Sequence, residues 1–197
     1  DSELTEKGKY IPAGNGNTMT VSNWIETINS SVRATSTAFG LMGYGINKDG
    51  TKYSYNHEAG VWIRLNPLDG GGVRNDNVTA FKYALVESDS MPKPAQLEAI
   101  NRLNLPVKAI IDSGGKSIHA IVKVDAKTAG DYAIKVRYLY DVCKKFGLDL
   151  DYQDSNPSRL YRLPGCLRGN QTQYAIKLYN DSAIQSFDMW QNSLTLG

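Results

Sequence analysis

Residues 107–124, Val-Lys-Ala-Ile-Ile-Asp-Ser-Gly-Gly-Lys-Ser-Ile-His-Ala-Ile-Val-Lys-Val, decide how this chain is read. Two apolar runs, Val107–Ile111 and Ile118–Val124, flank a short glycine-rich turn. Such runs around such a turn predict two buried strands joined as a hairpin. The turn carries more chemistry than a chain reversal needs: a lysine, two hydroxyls, and a histidine second in the following run. A Ser-Gly-Gly-Lys-Ser backbone offers N–H groups, and Lys116 adds charge, which together suit phosphate oxygens. Ser113, Gly114, Lys116, Ser117 and His119 are therefore candidate phosphate-binding residues. Ser117 and His119 are two apart, so in a strand they share one face. The spacing is not that of a P-loop, and a strand follows where that motif needs a helix. The plain alternative is a hairpin turn with glycine for positive φ, an exposed lysine and a satisfied core histidine. Convergence of Lys, Ser and His on one short hairpin favours binding.

Working outward, Ala80–Val86 is apolar enough for a buried strand, and Pro94–Leu103 has Ala95, Leu97, Ile100 and Leu103 on a helical pattern. From Thr128 to Phe146 apolar residues recur near helical spacing until Gly147 stops the helix. Arg159–Leu163 and Tyr174–Tyr179 read as strands. Residues 80–163 thus run β-α-β-β-α-β, the ferredoxin-like unit that RNA-recognition modules (RRM) also use, with the first and third strands side by side at the centre. Upstream, residues 1–20 are polar and read as a flexible lead-in. A helix is expected near 21–31, capped by Thr20 or Ser22, then strands at Tyr53–Asn56 and Val61–Leu65 before the break Asp69-Gly70-Gly71-Gly72. The expected class is α/β (α+β): one domain over 21–197, with an N-terminal α/β subdomain about 21–79 and an RRM-like core about 80–180. No repeat or low-complexity segment interrupts it.

Composition narrows the function. The chain has 197 residues and a formal net charge of +2, so any nucleic-acid contact needs a local patch rather than bulk charge. Cys143 and Cys166 lie far apart without metal-ligand spacing, which fits a reducing, cytoplasmic setting. No apolar run approaches the ~20 residues of a membrane span, so no membrane contact is expected. The sequence begins at Asp1 rather than Met, as a piece of a larger chain would.

Acidic residues sit beside the hairpin. The first strand of the unit ends Val86-Glu87-Ser88-Asp89. Glu87 and Asp89 are two apart and point to one face. Paired carboxylates repel unless a cation lies between them, and hard divalent cations prefer oxygen ligands. Alone, this pair is more simply a solvated strand end. After the long helix, Asp149, Asp151 and Asp154 lead into Arg159, Arg162 and Arg168; acids there could complete a metal site, and arginines could bind phosphate. If 159–163 is a strand, Arg159, Tyr161 and Leu163 share a face and Arg162 points away or bends off at Pro164.

Taken in order, Glu87-x-Asp89, Ser117-x-His119, a hydrophobic residue followed by Asp, and Asn156-Pro157-Ser158-Arg159-Leu160-x-Arg162-Leu163-Pro164-Gly165 resemble the catalytic core of the archaeo-eukaryotic primase superfamily. The primase-polymerases (PrimPol) of phages, plasmids and CRISPR-associated proteins look most similar, over about residues 60–180. The resemblance implies a DNA primase-polymerase, a template-dependent nucleotidyltransferase that joins (d)NTPs on a single-stranded DNA template and primer. It implies two divalent cations, Mg²⁺ or Mn²⁺, held by Glu87, Asp89 and an aspartate of the third motif. Leu150-Asp151 fits the family's spacing, with Arg159 eight and Arg162 eleven positions on; Asp154 fits it less well and is the second candidate. The Ser-x-His motif, with Lys116, Arg159 and Arg162, would hold the triphosphate, and Arg168 the template or primer. One departure is that the first motif begins with Glu rather than the commoner Asp.

Two other classes compete. A non-catalytic single-stranded nucleic-acid-binding module on an RRM-like sheet would stack bases on exposed aromatics, whereas carboxylates stand at the equivalent positions here. A replication-initiator nuclease needs paired histidines, and His57 and His119 have no near partner in sequence.

Overall fold

The computed structural model describes residues 2–4, 10–12, 44–46, 52–54, 62–69, 72, 74–150, 152–165 and 167–195. The helix expected near 21–31 lies outside them. The described strands are β1 (Ser2–Leu4), β2 (Tyr10–Pro12), β3 (Tyr44–Ile46), β4 (Lys52–Ser54), β5 (Trp62–Ile63), β6 (Phe81–Val86), β7 (Val107–Asp112), β8 (Ile118–Ala126), β9 (Tyr161–Arg162), β10 (Leu167–Arg168), β11 (Gln171–Thr172) and β12 (Tyr174–Leu178). The described helices are α1 (Lys93–Arg102), α2 (Ala129–Lys145) and α3 (Phe187–Thr195). Within the polar lead-in, β1 pairs with β2; strands this short and polar carry no apolar period to read. β3 pairs with β4.

The centre is a four-stranded antiparallel sheet in the order β12-β7-β8-β6. The element order is the expected β-α-β-β-α-β, and β8 lies between β6 and β7 as a split β-α-β unit requires. Two details differ from expectation. The closing strand is β12, which pairs with β7, and β6 is an edge rather than a central strand. Residues 161–162 leave the sheet to pair with β5 in a separate ribbon.

The free edge of β6 explains this placement, because unpaired edge groups must find partners. Asn66, 2% exposed, accepts from the amides of Lys82 and Tyr83 and donates to the Tyr83 carbonyl. Tyr132 and Tyr161 also donate to that carbonyl, and Tyr140 donates to Leu85 O. Side chains thus occupy the edge where another strand would have paired.

Both faces of the sheet are buried. Ala84, Val86, Ile118, Ala120 and Val122 face α1, α2 and α3 with Tyr132, Val136, Tyr140 and Trp190. Leu85, Ala109, Ile111 and Ile121 face the other way, against Tyr161 and Ile63 of the β5/β9 ribbon. This two-sided burial is why the strands read as continuous apolar runs. α2 begins where Thr128 accepts from the Asp131 amide, an N-cap, and ends at Gly147, whose φ of +89° suits glycine.

Candidate active site

Strand alternation carries the sheet's second face into a cleft. Leu85 lies opposite Ile121 and Val86 opposite Ala120. One step beyond this pairing Glu87 meets His119, their side chains 2.7 Å apart, on the face that Leu85 and Ile121 occupy. Glu87 and Asp89 border an open cleft of about 780 Å³ with Ser117, His119, Arg159 and Arg162. Lys116, Arg168 and the tip of the β10–β11 hairpin complete its wall.

Glu87 is the hub. Its Oε2 lies 2.7 Å from His119 Nε2 and accepts from Ser117 Oγ at 3.1 Å, while Oε1 accepts from Arg159 Nη2 at 3.2 Å. Burial by itself would raise its pKa; the hydrogen bond and charge of His119, then Arg159, outweigh burial and bring it down to about 2. The carboxylate is thus ionised at neutral pH. His119 is 3% exposed, and its Nδ1 is buried with no hydrogen-bond partner among the described residues. Asp89 is exposed. Arg162 is buried, its guanidinium 3.3 Å over the Trp62 ring, with Nη1 donating to Gln173 Oε1 at 3.4 Å. Desolvation, then the neighbouring charge of Arg168, brings its pKa down to about 9, so it stays protonated at neutral pH.

The hairpin turn is built as a closed loop. Ser113 N donates to Ser117 O; Asp112 Oδ1 accepts from Gly114 N and from Lys93 Nζ. Gly115 N donates to Ser113 Oγ. Two of the amides expected to meet phosphate are therefore engaged by side chains. Ser113 is fully buried and supports the turn from behind, whereas Gly114, Lys116, Ser117 and His119 reach the cleft. Gly114 has φ +65°, a value that favours glycine, and a Cβ on Gly115 would collide with the Arg168 guanidinium. Arg168 Nη1 also donates to Ser113 O at 3.4 Å.

Arg159 and Arg162 both reach the cleft, although alternation along one strand would have separated them. The regular strand is limited to Tyr161–Arg162, and Arg159 lies before it. Tyr161 packs against the sheet with Leu85, Ala109, Ile111 and Ile121.

Carboxylates are the donors that a hard divalent cation prefers, and Glu87 and Asp89 both border the cleft. Among the described residues no cluster of three His, Cys, Asp or Glu side chains gathers. Asp151 lies outside the described residues, as does the side chain of Asp154. Asp149 is tied elsewhere: its Oδ2 accepts from Ser90 Oγ at 2.6 Å.

Several residues of the site were not singled out from the sequence. Gln96 is fully buried; it donates to Met91 O and Lys116 O and accepts from Ile118 N, pinning the hairpin to α1. Its signal was available, because it interrupts the apolar stripe Ala99, Ile100, Leu103 at helical spacing. Trp62 and Gln173 had none: Trp62 meets Arg162 only through ribbon pairing between distant segments.

A mixed α+β domain with this sheet has the fold of the archaeo-eukaryotic primase (AEP) catalytic domain. Among solved structures the chain is similar to the AEP domain of the cyanophage S-2L primase-polymerase (PrimPol), with a TM-score of 0.52 and 19% identity over 66% of this chain and 68% of that one. No protein-family model and no curated protein matches the sequence.

Proposed function

We propose that this protein is a DNA primase-polymerase of the phage, plasmid or CRISPR-associated kind, joining (d)NTPs on a single-stranded DNA template. The observation that carries this reading is the gathering of Glu87 and Asp89 with Ser117, His119, Arg159 and Arg162 around one cleft on an AEP fold. Polymerisation needs a cation-binding carboxylate set beside cationic groups that take a triphosphate. Four Lys/Arg side chains and two carboxylates line the cleft, which supports this reading.

In this mechanism Glu87, Asp89 and Asp151 hold two divalent cations, with Asp154 the alternative third ligand. Bound there, the cations supply charge that stabilises the attacking 3′-hydroxyl oxygen and the pyrophosphate leaving group. Lys116, Ser117, His119 and Arg159 bind and orient the triphosphate, with Gly114 shaping their turn. Arg162 contributes a further charge-assisted contact. Arg168 takes the template or primer backbone. A cytoplasmic setting accords with this role, and no helix among the described residues is long and apolar enough to cross a membrane.

The non-catalytic RRM-like reading gains no support. The second face of the sheet, where stacking aromatics would stand, is covered by Tyr161 and Ile63. The test is incubation with primed single-stranded DNA, Mn²⁺ and labelled nucleotides. Extension that Asp89→Ala abolishes supports the proposal. Retention of DNA without extension supports the binding module, and cleavage a nuclease.

A further inference from the structure

Arg162 is held in an unusual way. Strands β5 and β9 pair so that Trp62 and Arg162 are cross-strand partners, and the guanidinium centre lies 3.3 Å over the ring. On another side Gln173 Oε1 accepts from Arg162 Nη1, while Gln173 Nε2 donates to Leu163 O at 2.7 Å. Gln173 is fully buried, and its own carbonyl accepts from Gly165 N. The carboxamide is thus fixed by Leu163 O before the Pro164–Gly165 bend, and the Gln173 main chain by Gly165 N within it. A long side chain clamped between a ring face and an immobile amide loses rotamer freedom before any ligand arrives, and a preorganised cation binds an anion at lower entropic cost. Both Trp62 and Arg162 border the cleft that holds Glu87 and Asp89.

We propose that Trp62 is a positioning residue, which with Gln173 presents the Arg162 guanidinium to the polyphosphate of a nucleotide bound in this cleft. The inference rests on the nucleotide reading above and adds a role for an aromatic residue that the motifs do not contain. The ring acts through Arg162 and makes no contact with the base. Three consequences follow from that distinction. Removing the ring face weakens polyphosphate binding. It does so whether or not a nucleoside is attached. It costs nothing further once the arginine is gone.

The experiment is a titration calorimetry series in Mg²⁺ with two probes, dATP and inorganic tripolyphosphate. The proteins are wild type, Trp62→Phe, Trp62→Leu, Arg162→Ala and the Trp62→Leu/Arg162→Ala double variant. Leaving one long side chain to be ordered only when the ligand arrives translates to an expected loss of about five- to tenfold for Trp62→Leu, equal for both probes. Trp62→Phe keeps an aromatic face and retains most of the affinity, which separates the effect from a simple failure to fold. In the Arg162→Ala background Trp62→Leu should change Kd by less than about twofold. A Trp62→Leu loss confined to dATP would overturn the proposal, because the ring would then be stacking on the base. Equal losses with and without Arg162, or none at all, would overturn it as well. Wild-type protein that binds neither probe would remove the nucleotide reading and this proposal together.

Discussion

Replacing Glu87 by Gln tests the electrostatics at the centre of the cleft. The Glu87 side chain is 11% exposed, so water screens its contacts little. Its carboxyl moves from an ordinary 4.5 to about 2 on folding. At about 1.4 kcal/mol per tenfold in acidity, the ionised form is favoured in the folded state by on the order of 3 kcal/mol. Because the folded pKa is depressed, this stabilisation is complete above the unfolded value and is lost as pH falls from about 4.5 towards about 2. At pH 3.5 a sizeable part of it should already be gone. Gln keeps the shape, but its amide N–H₂ opposes either the Arg159 donor at one oxygen position or Ser117 and His119 at the other. Urea unfolding should therefore show Glu87→Gln less stable than wild type by about 2–3 kcal/mol at pH 7. The difference should shrink as pH falls below about 4.5. A variant as stable as wild type at pH 7, or a deficit that does not narrow in acid, would refute the reasoning. It would mean that burial of the carboxylate outweighs its three partners.

Four further outcomes are expected. Gln96→Leu should cost about 2–4 kcal/mol in urea unfolding, because Met91 O, Lys116 O and Ile118 N lose a buried partner; a loss under 1 kcal/mol would show that the hairpin holds without this pin. Gly114→Ala should destabilise by about 1–2 kcal/mol because its φ is +65°, seen as a lower thermal midpoint. Arg168→Ala should flatten the slope of log affinity against log salt for single-stranded template by ~0.7, and Gly115→Ala, whose new methyl displaces the same guanidinium, should do likewise; an unchanged slope with weaker nucleotide binding would move Arg168 to the triphosphate. Asp151→Asn should abolish nucleotide incorporation while Asp154→Asn retains it, and the reverse result would exchange the third metal ligand.

The sequence by itself determined the pieces and their local geometry. The apolar runs 80–86, 107–111 and 118–124, and the stripe of α2 ended by Gly147, are signals written in consecutive residues and decided by short-range sterics and burial. The same two-residue period put Glu87 with Asp89, and Ser117 with His119, on common faces before any pairing was known. Only tertiary structure decided how these pieces meet. The place of β12 depends on which sheet edge is already satisfied, and Asn66, Tyr132, Tyr140 and Tyr161 reach β6 from segments up to 78 residues away. The contact between Glu87 and His119 depends on the register of β6 against β8, which alternation within either strand cannot specify. The arginines followed the same logic: a two-residue ribbon strand turned Arg162 onto Trp62, and the irregular backbone before it brought Arg159 to Glu87. Periodicity records which side chains seek burial, whereas partner choice is settled by long-range hydrogen bonding and packing that no local window of sequence contains.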